Sequence, residues 1–155
     1  MYEKERAKSS THFTFGISVD CVVFGFDGSD VKVLVIKRGT EPFKDFSATP
    51  GDLVHEQEDP LDATKRVLNE LTGLKNIYLE QLKAFAGVNR HPLGRVVTIA
   101  YYSLIKIDDY NPKPSSWATD ATWTSIQDIQ EMAFDHFEIF SYACLLYTSP
   151  SPRDA

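Results

Sequence analysis

Short runs of β-branched and aromatic residues alternate with two helical segments along this chain, and the connections are brief and turn-rich. That pattern predicts a sheet with helices on its faces, of α/β or α+β type. Three features carry the prediction: a hairpin signature near the start, a sharply bounded helix after Asp59, and one strongly apolar strand near residue 100. The first strand is read at Ser18–Phe26, SVDCVVFGF. Asp27-Gly28-Ser29-Asp30 forms a turn cluster, and VKVLVIKR, Val31–Arg38, then alternates Lys32, Leu34 and Ile36 against Val31, Val33 and Val35. Together they read as a hairpin with a four-residue loop.

Gly39–Val54, with Pro42, Pro50 and Gly51, reads as loop. The helix that follows has Asp59 as N-cap, Pro60 in the first helical position and Gly73 as its stop. Leu61, Thr64, Lys65, Leu68, Leu71 and Thr72 form its stripe. Ile77–Gly87 fits strand or helix; Tyr78, Gln81 and the Gly-Val-Asn-Arg turn behind it favour strand. Arg95–Ile107 is apolar on nearly both faces, as in a strand central to a covered sheet. Asp108–Ser116 reads as a polar loop, ATWTSI as a short strand, and Asp135–Ala143 as the opening of a second helix.

The 155 residues fit a single domain. Hydrophobic residues make up 43% and charged residues 25%, which excludes wholesale disorder. Two cysteines, Cys21 and Cys144, exclude a disulfide framework and a multi-cysteine zinc site. No apolar run approaches the roughly 18 residues of a membrane span, and the opening MYEKERAKSS lacks a secretory core, so the expected compartment is the cytoplasm. A net charge of −6 argues against this segment gripping nucleic acid by itself.

The closing CLLYTSPSPRDA resembles a translated sequencing adaptor. A natural Pro/Ser-rich tail is the alternative. The expected organisation is therefore a polar leader and strand approach over 1–17, a domain over 18–143, and an adaptor-derived tail over 144–155 that is set aside from fold reasoning.

PGDLVHEQEDPLDATKRVLNELTGL, residues 50–74, resembles the Nudix box, the loop-helix-loop signature of Nudix hydrolases. Aligned on Gly73, the segment keeps Glu58, Arg66, Leu68, Glu70, Gly73 and Leu74. It departs at Asp52, which replaces a glycine, and at Val67 and Leu71, which replace glutamates. The resemblance spans roughly residues 18–143 and implies a Nudix-type α/β/α sandwich with a mixed sheet. It also implies divalent-metal chemistry, with Glu58, Arg66 and Glu70 at catalytic positions and Glu70 as a weak metal ligand. Magnesium prefers oxygen donors, and diphosphate hydrolysis needs cations to neutralise the transferring group. Positions 67, 70 and 71 share one helical face, so two metal carboxylates are replaced by hydrocarbon. A cofactor is then not required, with magnesium retained only if the domain is a hydrolase. Arg66 and Glu70 also fit a purely structural pair, and Glu58 fits a place near the helix N-terminus, where negative charge is favourable.

KRVLNELTGLKNIYLEQLKAFAG and GRVVTIAYYSLI are similar to a subgroup of Nudix-related transcriptional regulators, which carry a degenerate box followed by a winged helix-turn-helix. That likeness implies a sugar- or ADP-ribose-sensing effector domain, with DNA reached only through a missing C-terminal domain and a homodimer possible. The alternatives are a hydrolase of a nucleoside diphosphate linked to another moiety, and a dimerisation module without a ligand. Arg38, Arg90 and Arg95 are the candidate ligand-binding residues, since guanidinium suits phosphate and sugar oxygens; solvated strand ends are the competing reading. His91 beside Arg90 is a weaker candidate. His12, His55 and His136 lack metal-ligand spacing, and Trp117, Trp123, Tyr101 and Tyr102 read as packing residues.

Overall fold

The computed structural model describes residues 15–148. The leader expected over residues 1–11, together with His12, lies outside that range, as do residues 149–155 of the expected tail. Seven strands form one mixed sheet: β1 (Gly16–Phe26), β2 (Val31–Arg38), β3 (Ser47–Ala48), β4 (Gly51–Leu53), β5 (Glu80–Phe85), β6 (Val96–Lys106) and β7 (Ala118–Ser125). Two helices, α1 (Pro60–Thr72) and α2 (His136–Thr148), cover its faces. The α/β/α arrangement is the one implied by the resemblance to the Nudix box. No helix among the described residues is long and apolar enough to cross a membrane.

β1 runs parallel to β6 along its whole length, from Gly16 opposite Val96 to Phe26 opposite Lys106. Its other edge is divided. The end near the hairpin, Phe24–Phe26, pairs with β2, and the loop Asp27–Asp30 closes the turn with Asp27 Oδ1 accepting from the Ser29 and Asp30 amides. Toward its start, β1 parts from β2 and Ser18–Asp20 pairs with β4 instead. β3 pairs with Ile36 and Lys37 of β2. The two short strands thus fill a wedge between diverging neighbours, with Thr49 and Pro50 crossing from one side to the other. They occupy a stretch expected to be loop. Strands of two and three residues are too short for an alternating pattern to register.

Alternation along β1 divides the core into two layers. Val19, Cys21 and Val23 face α1, together with Leu34 and Ile36 of β2. Val22, Phe24, Val33 and Val35 face α2, where Ile139, Phe140 and Ala143 meet them. β6 lies between β1 and β5, as its apolar composition predicts. β5 begins at Glu80, three residues later than the strand expected from Ile77. α2 continues through Cys144 to Thr148, past the expected boundary at Ala143.

α1 has the termini read from the sequence. The Asp59 carboxylate accepts from the Asp62 amide at 2.9 Å, and Gly73, at φ 77°, donates its amide to Asn69 O. The buried stripe differs from the expected one. Ala63, Thr64, Val67, Leu68, Leu71 and Thr72 are inside, while Leu61 and Lys65 are exposed. Val67 and Leu71 are 2% and 1% exposed within the α1-side core. Of the three box positions expected to share one face, 67 and 71 pack against the sheet while Glu70 is exposed. Introducing Val67→Glu with Leu71→Glu therefore buries two carboxylates rather than building a metal site, and is expected to cost more than about 4 kcal/mol. Asp59→Ala, which removes only the cap, is expected to cost about 1 kcal/mol. Urea unfolding followed by circular dichroism separates the two; a double-glutamate chain as stable as the parent overturns this packing.

Candidate functional site

The box residues expected to be catalytic form a clamp. Arg66 donates from Nε and Nη2 to the Glu58 carboxylate, with Nη2 to Oε1 at 2.7 Å, and from Nη1 to Glu70 Oε2 at 3.0 Å. Nη2 also donates to the main-chain carbonyl of Leu53 at 2.9 Å. Glu58 accepts from the His55 amide, and Arg66 hydrogen bonding holds its carboxyl down at about 2. One guanidinium thus ties α1, the loop before it and β4 together.

That donor set does not fit magnesium. Glu70 is half exposed and held by Arg66, and its two partner positions are core hydrocarbon. Among the described residues no group of three or more His, Cys, Asp or Glu side chains could hold a metal. The carboxylate that could assist Glu70 in its expected weak metal role, Glu58, is held by the same guanidinium.

Arg38, Arg90 and Arg95, by contrast, converge on one pocket of about 460 Å³, within the usual range for ligand sites. It opens where β1 and β2 diverge. Ser18, Asp20 and Thr98 line it from the sheet, Asp52 and Leu53 from β4, and Trp117, Phe134 and His91 add an aromatic wall. Arg38 ends β2 with its guanidinium 4.8 Å from the Trp117 ring centre and 4.9 Å from that of Phe134. Its Nε donates to Pro42 O at 2.7 Å. Cation–π contact on two rings holds this side chain in place. Asp52, the residue at the departed glycine position, accepts from Trp117 Nε1 at 3.0 Å and fixes that ring. His91 stacks on Phe134 with centres 4.9 Å apart.

Arg90 is already committed. It donates to both Asp135 oxygens, at 2.8 and 2.6 Å, and only 5% of its side chain is exposed. Arg95 donates to Gly87 O and lies over Phe15. Its remaining donors make it, with Arg38, the better placed cation for an incoming anion.

Sequence reasoning missed the pocket floor. Asp20 and His136 are 4% and 6% exposed. Thr49 donates its hydroxyl to Asp20 Oδ1 at 3.1 Å and its amide to His136 Nδ1 at 3.2 Å. An imidazole that accepts at Nδ1 carries its proton on Nε2, which lies 3.3 Å from Asp20 Oδ1. His136 is therefore neutral, and its contact with Asp20 is not an ion pair. Gly51 packs directly over this carboxylate, where any Cβ would overlap Asp20 Oδ1. Thr49 is 1% exposed and its hydroxyl is turned to Asp20, so the trio is no nucleophile–base pair. The available signal was a lone carboxylate inside the apolar strand SVDCVVFGF.

Burial pushes the Asp20 carboxyl up to about 8 and the His136 imidazole down to about 3. The folded protein holds the Asp20 proton more tightly than the unfolded chain does, so stability from this group is lost as pH rises from about 4 to about 8. The folded protein resists protonating His136, so that contribution is lost as pH falls from about 6.5 to about 3. The trends oppose between pH 4 and 6.5, and Asp20 alone acts above. Urea midpoints are expected to fall between about pH 6.5 and 8, and Asp20→Asn is expected to flatten that decline. An unchanged decline in the variant refutes the assignment.

Comparison with known proteins agrees with this architecture. Residues 14–143 match the model of the NUDIX domain family. The ADPR responsive transcriptional repressor NtrR of Acinetobacter baylyi is 29% identical over 131 residues, covering 82% of this chain and 52% of the repressor. The chain therefore spans about half the length of that relative. An ADP-ribose pyrophosphatase of Methanocaldococcus jannaschii is 31% identical over 117 residues, covering 76% of this chain and 68% of that enzyme. The NUDIX domain of Shewanella oneidensis NrtR, solved with ADP ribose, superposes with a TM-score of 0.85 at 24% identity, covering 96% of this chain and 99% of that one, and shares its fold. With a family match across nearly the whole sheet and both helices, the chain belongs to the Nudix family.

Proposed function

We propose that this domain is the ligand-sensing part of a longer transcription regulator, and that it binds a nucleoside diphosphate sugar of the ADP-ribose kind without hydrolysing it. One observation carries the reading: three arginines and an aromatic wall meet in a single pocket, while two box positions that would hold metal are buried hydrocarbon. The repressor relative, named as ADPR responsive, supports it. Stacking on Trp117 or Phe134 suits a base, and Arg38 and Arg95 suit a diphosphate. Recognition of DNA is assigned to other parts of the regulator, because the chain carries a net charge of −6.

A second reading, a hydrolase of such diphosphates, is favoured by the 31% identity to an ADP-ribose pyrophosphatase. Magnesium would then be needed, and Glu70 offers it poor footing. A neutral sugar ligand is a further alternative that would leave the arginines without an anion.

Calorimetry with ADP-ribose in the presence of chelator discriminates among these. Binding is expected without metal, weakening with salt, and falling about tenfold or more in Arg38→Ala and Arg95→Ala. Ligand at a hundred times its Kd should add about 2.7 kcal/mol of stability. Arg90→Ala is a poor probe, because it strips the partly buried Asp135 of its partner and is expected to lower stability as well as binding. Turnover with magnesium or manganese at the rate of an ordinary family enzyme overturns the sensor reading in favour of the hydrolase. Binding of arabinose that ignores salt transfers it to a neutral sugar.

A further inference from the structure

The pocket floor holds an acid that the proposed recognition does not use. Asp20 sits beneath the arginines, almost wholly removed from water, and none of the hydrogen bonds or ion pairs described for it comes from a cation. The charged and titratable groups around it come from each element packed there. Arg38 lies at the end of β2 and Arg90 on the loop before β6; Asp135 and His136 stand at the start of α2, and Cys21 follows Asp20 on β1. Arg90 is the main charge favouring ionised Asp20, while Asp135 opposes it. His136 cannot become a counter-charge without surrendering the Thr49 amide. Asp20 in its ionised form therefore depends on the field of nearby arginines.

An anion seated against Arg38 and Arg95 adds negative charge over the same floor and offsets that field. We propose that Asp20 takes up a proton when an anionic ligand enters the pocket, so that the site binds its anion together with one proton. This rests on the reading that the pocket receives a diphosphate. The step is a simple acid–base one: the proton comes from solvent to an Asp20 carboxylate oxygen, and no covalent bond to the ligand forms or breaks. Discrimination follows from it. Above the pH at which Asp20 loses its proton in the empty pocket, an anion must bring the proton with it. A neutral ligand of similar shape need not.

Because burial places that loss near pH 8, the effect belongs to mildly alkaline solution. Calorimetry of ADP-ribose binding at pH 8.5, in two buffers of different ionisation enthalpy, counts protons directly. ADP-ribose has no group that titrates there, and His91, whose imidazole is held below its ordinary range mainly by burial, is already neutral. The expected result is uptake of about half a proton or more, with affinity falling up to about tenfold per pH unit above pH 8. Asp20→Asn is expected to bind with no uptake at pH 8.5, and His91→Gln to retain it. Carboxyl carbon NMR of the unmutated protein supplies a second readout. The Asp20 midpoint is expected to move upward by a pH unit or more when inorganic pyrophosphate or ADP-ribose is added. Binding with no proton uptake, or the same uptake in Asp20→Asn, or an Asp20 midpoint that does not move, overturns the inference and leaves the ligand reading standing. Absence of binding by both probes overturns the two together.

Discussion

The divergence of β1 from β2 is the constraint on which the rest of the structure depends. Two strands that pair at one end and part at the other leave main-chain amides and carbonyls in need of partners. The segment Ser47–Leu53 supplies them, pairing with β2 on one side and β1 on the other. Cys21 donates its amide to Pro50 O at the crossing. The opened sheet creates the pocket, and the same repair brings Thr49 to Asp20 and to the start of α2. Gly51 belongs to this constraint, because no larger residue lets β4 approach Asp20.

How much of this was legible depended on distance along the chain. The hairpin and the ends of α1 were readable because their signals are local: Asp27 bonds to amides two and three residues on, and Asp59 caps three residues on. β6 was readable because burial on both faces leaves a continuous apolar run. The pocket floor was not readable. Thr49 and His136 are 87 positions apart, and nothing near either one announces the other. Arg38, Arg90 and Arg95 were named singly from residue chemistry, and the fold brings them to one pocket. The departures at Val67 and Leu71 were visible, but their meaning was only half visible. Helical periodicity gives which residues share a face, without saying whether that face meets ligand or core.

The box itself keeps a task. With Val67 and Leu71 facing inward, the retained Glu58, Arg66 and Glu70 serve as a fastening for the loop–helix–loop. Arg66 also reaches back to Leu53 O, on the strand that walls the pocket. The box helix is thereby tied to the wall of the pocket through a main-chain carbonyl.

The setting of Arg38 has a kinetic meaning. A free arginine gives up several rotatable bonds when it grips an anion, a loss of about 0.5–1.5 kcal/mol for each ordered side chain. Here two rings and the Pro42 carbonyl have taken up that loss during folding. On the proposed reading of the pocket as an anion site, encounter would select among ligand poses rather than among arginine rotamers, and differences between one anion and the next would be written chiefly into how long each stays.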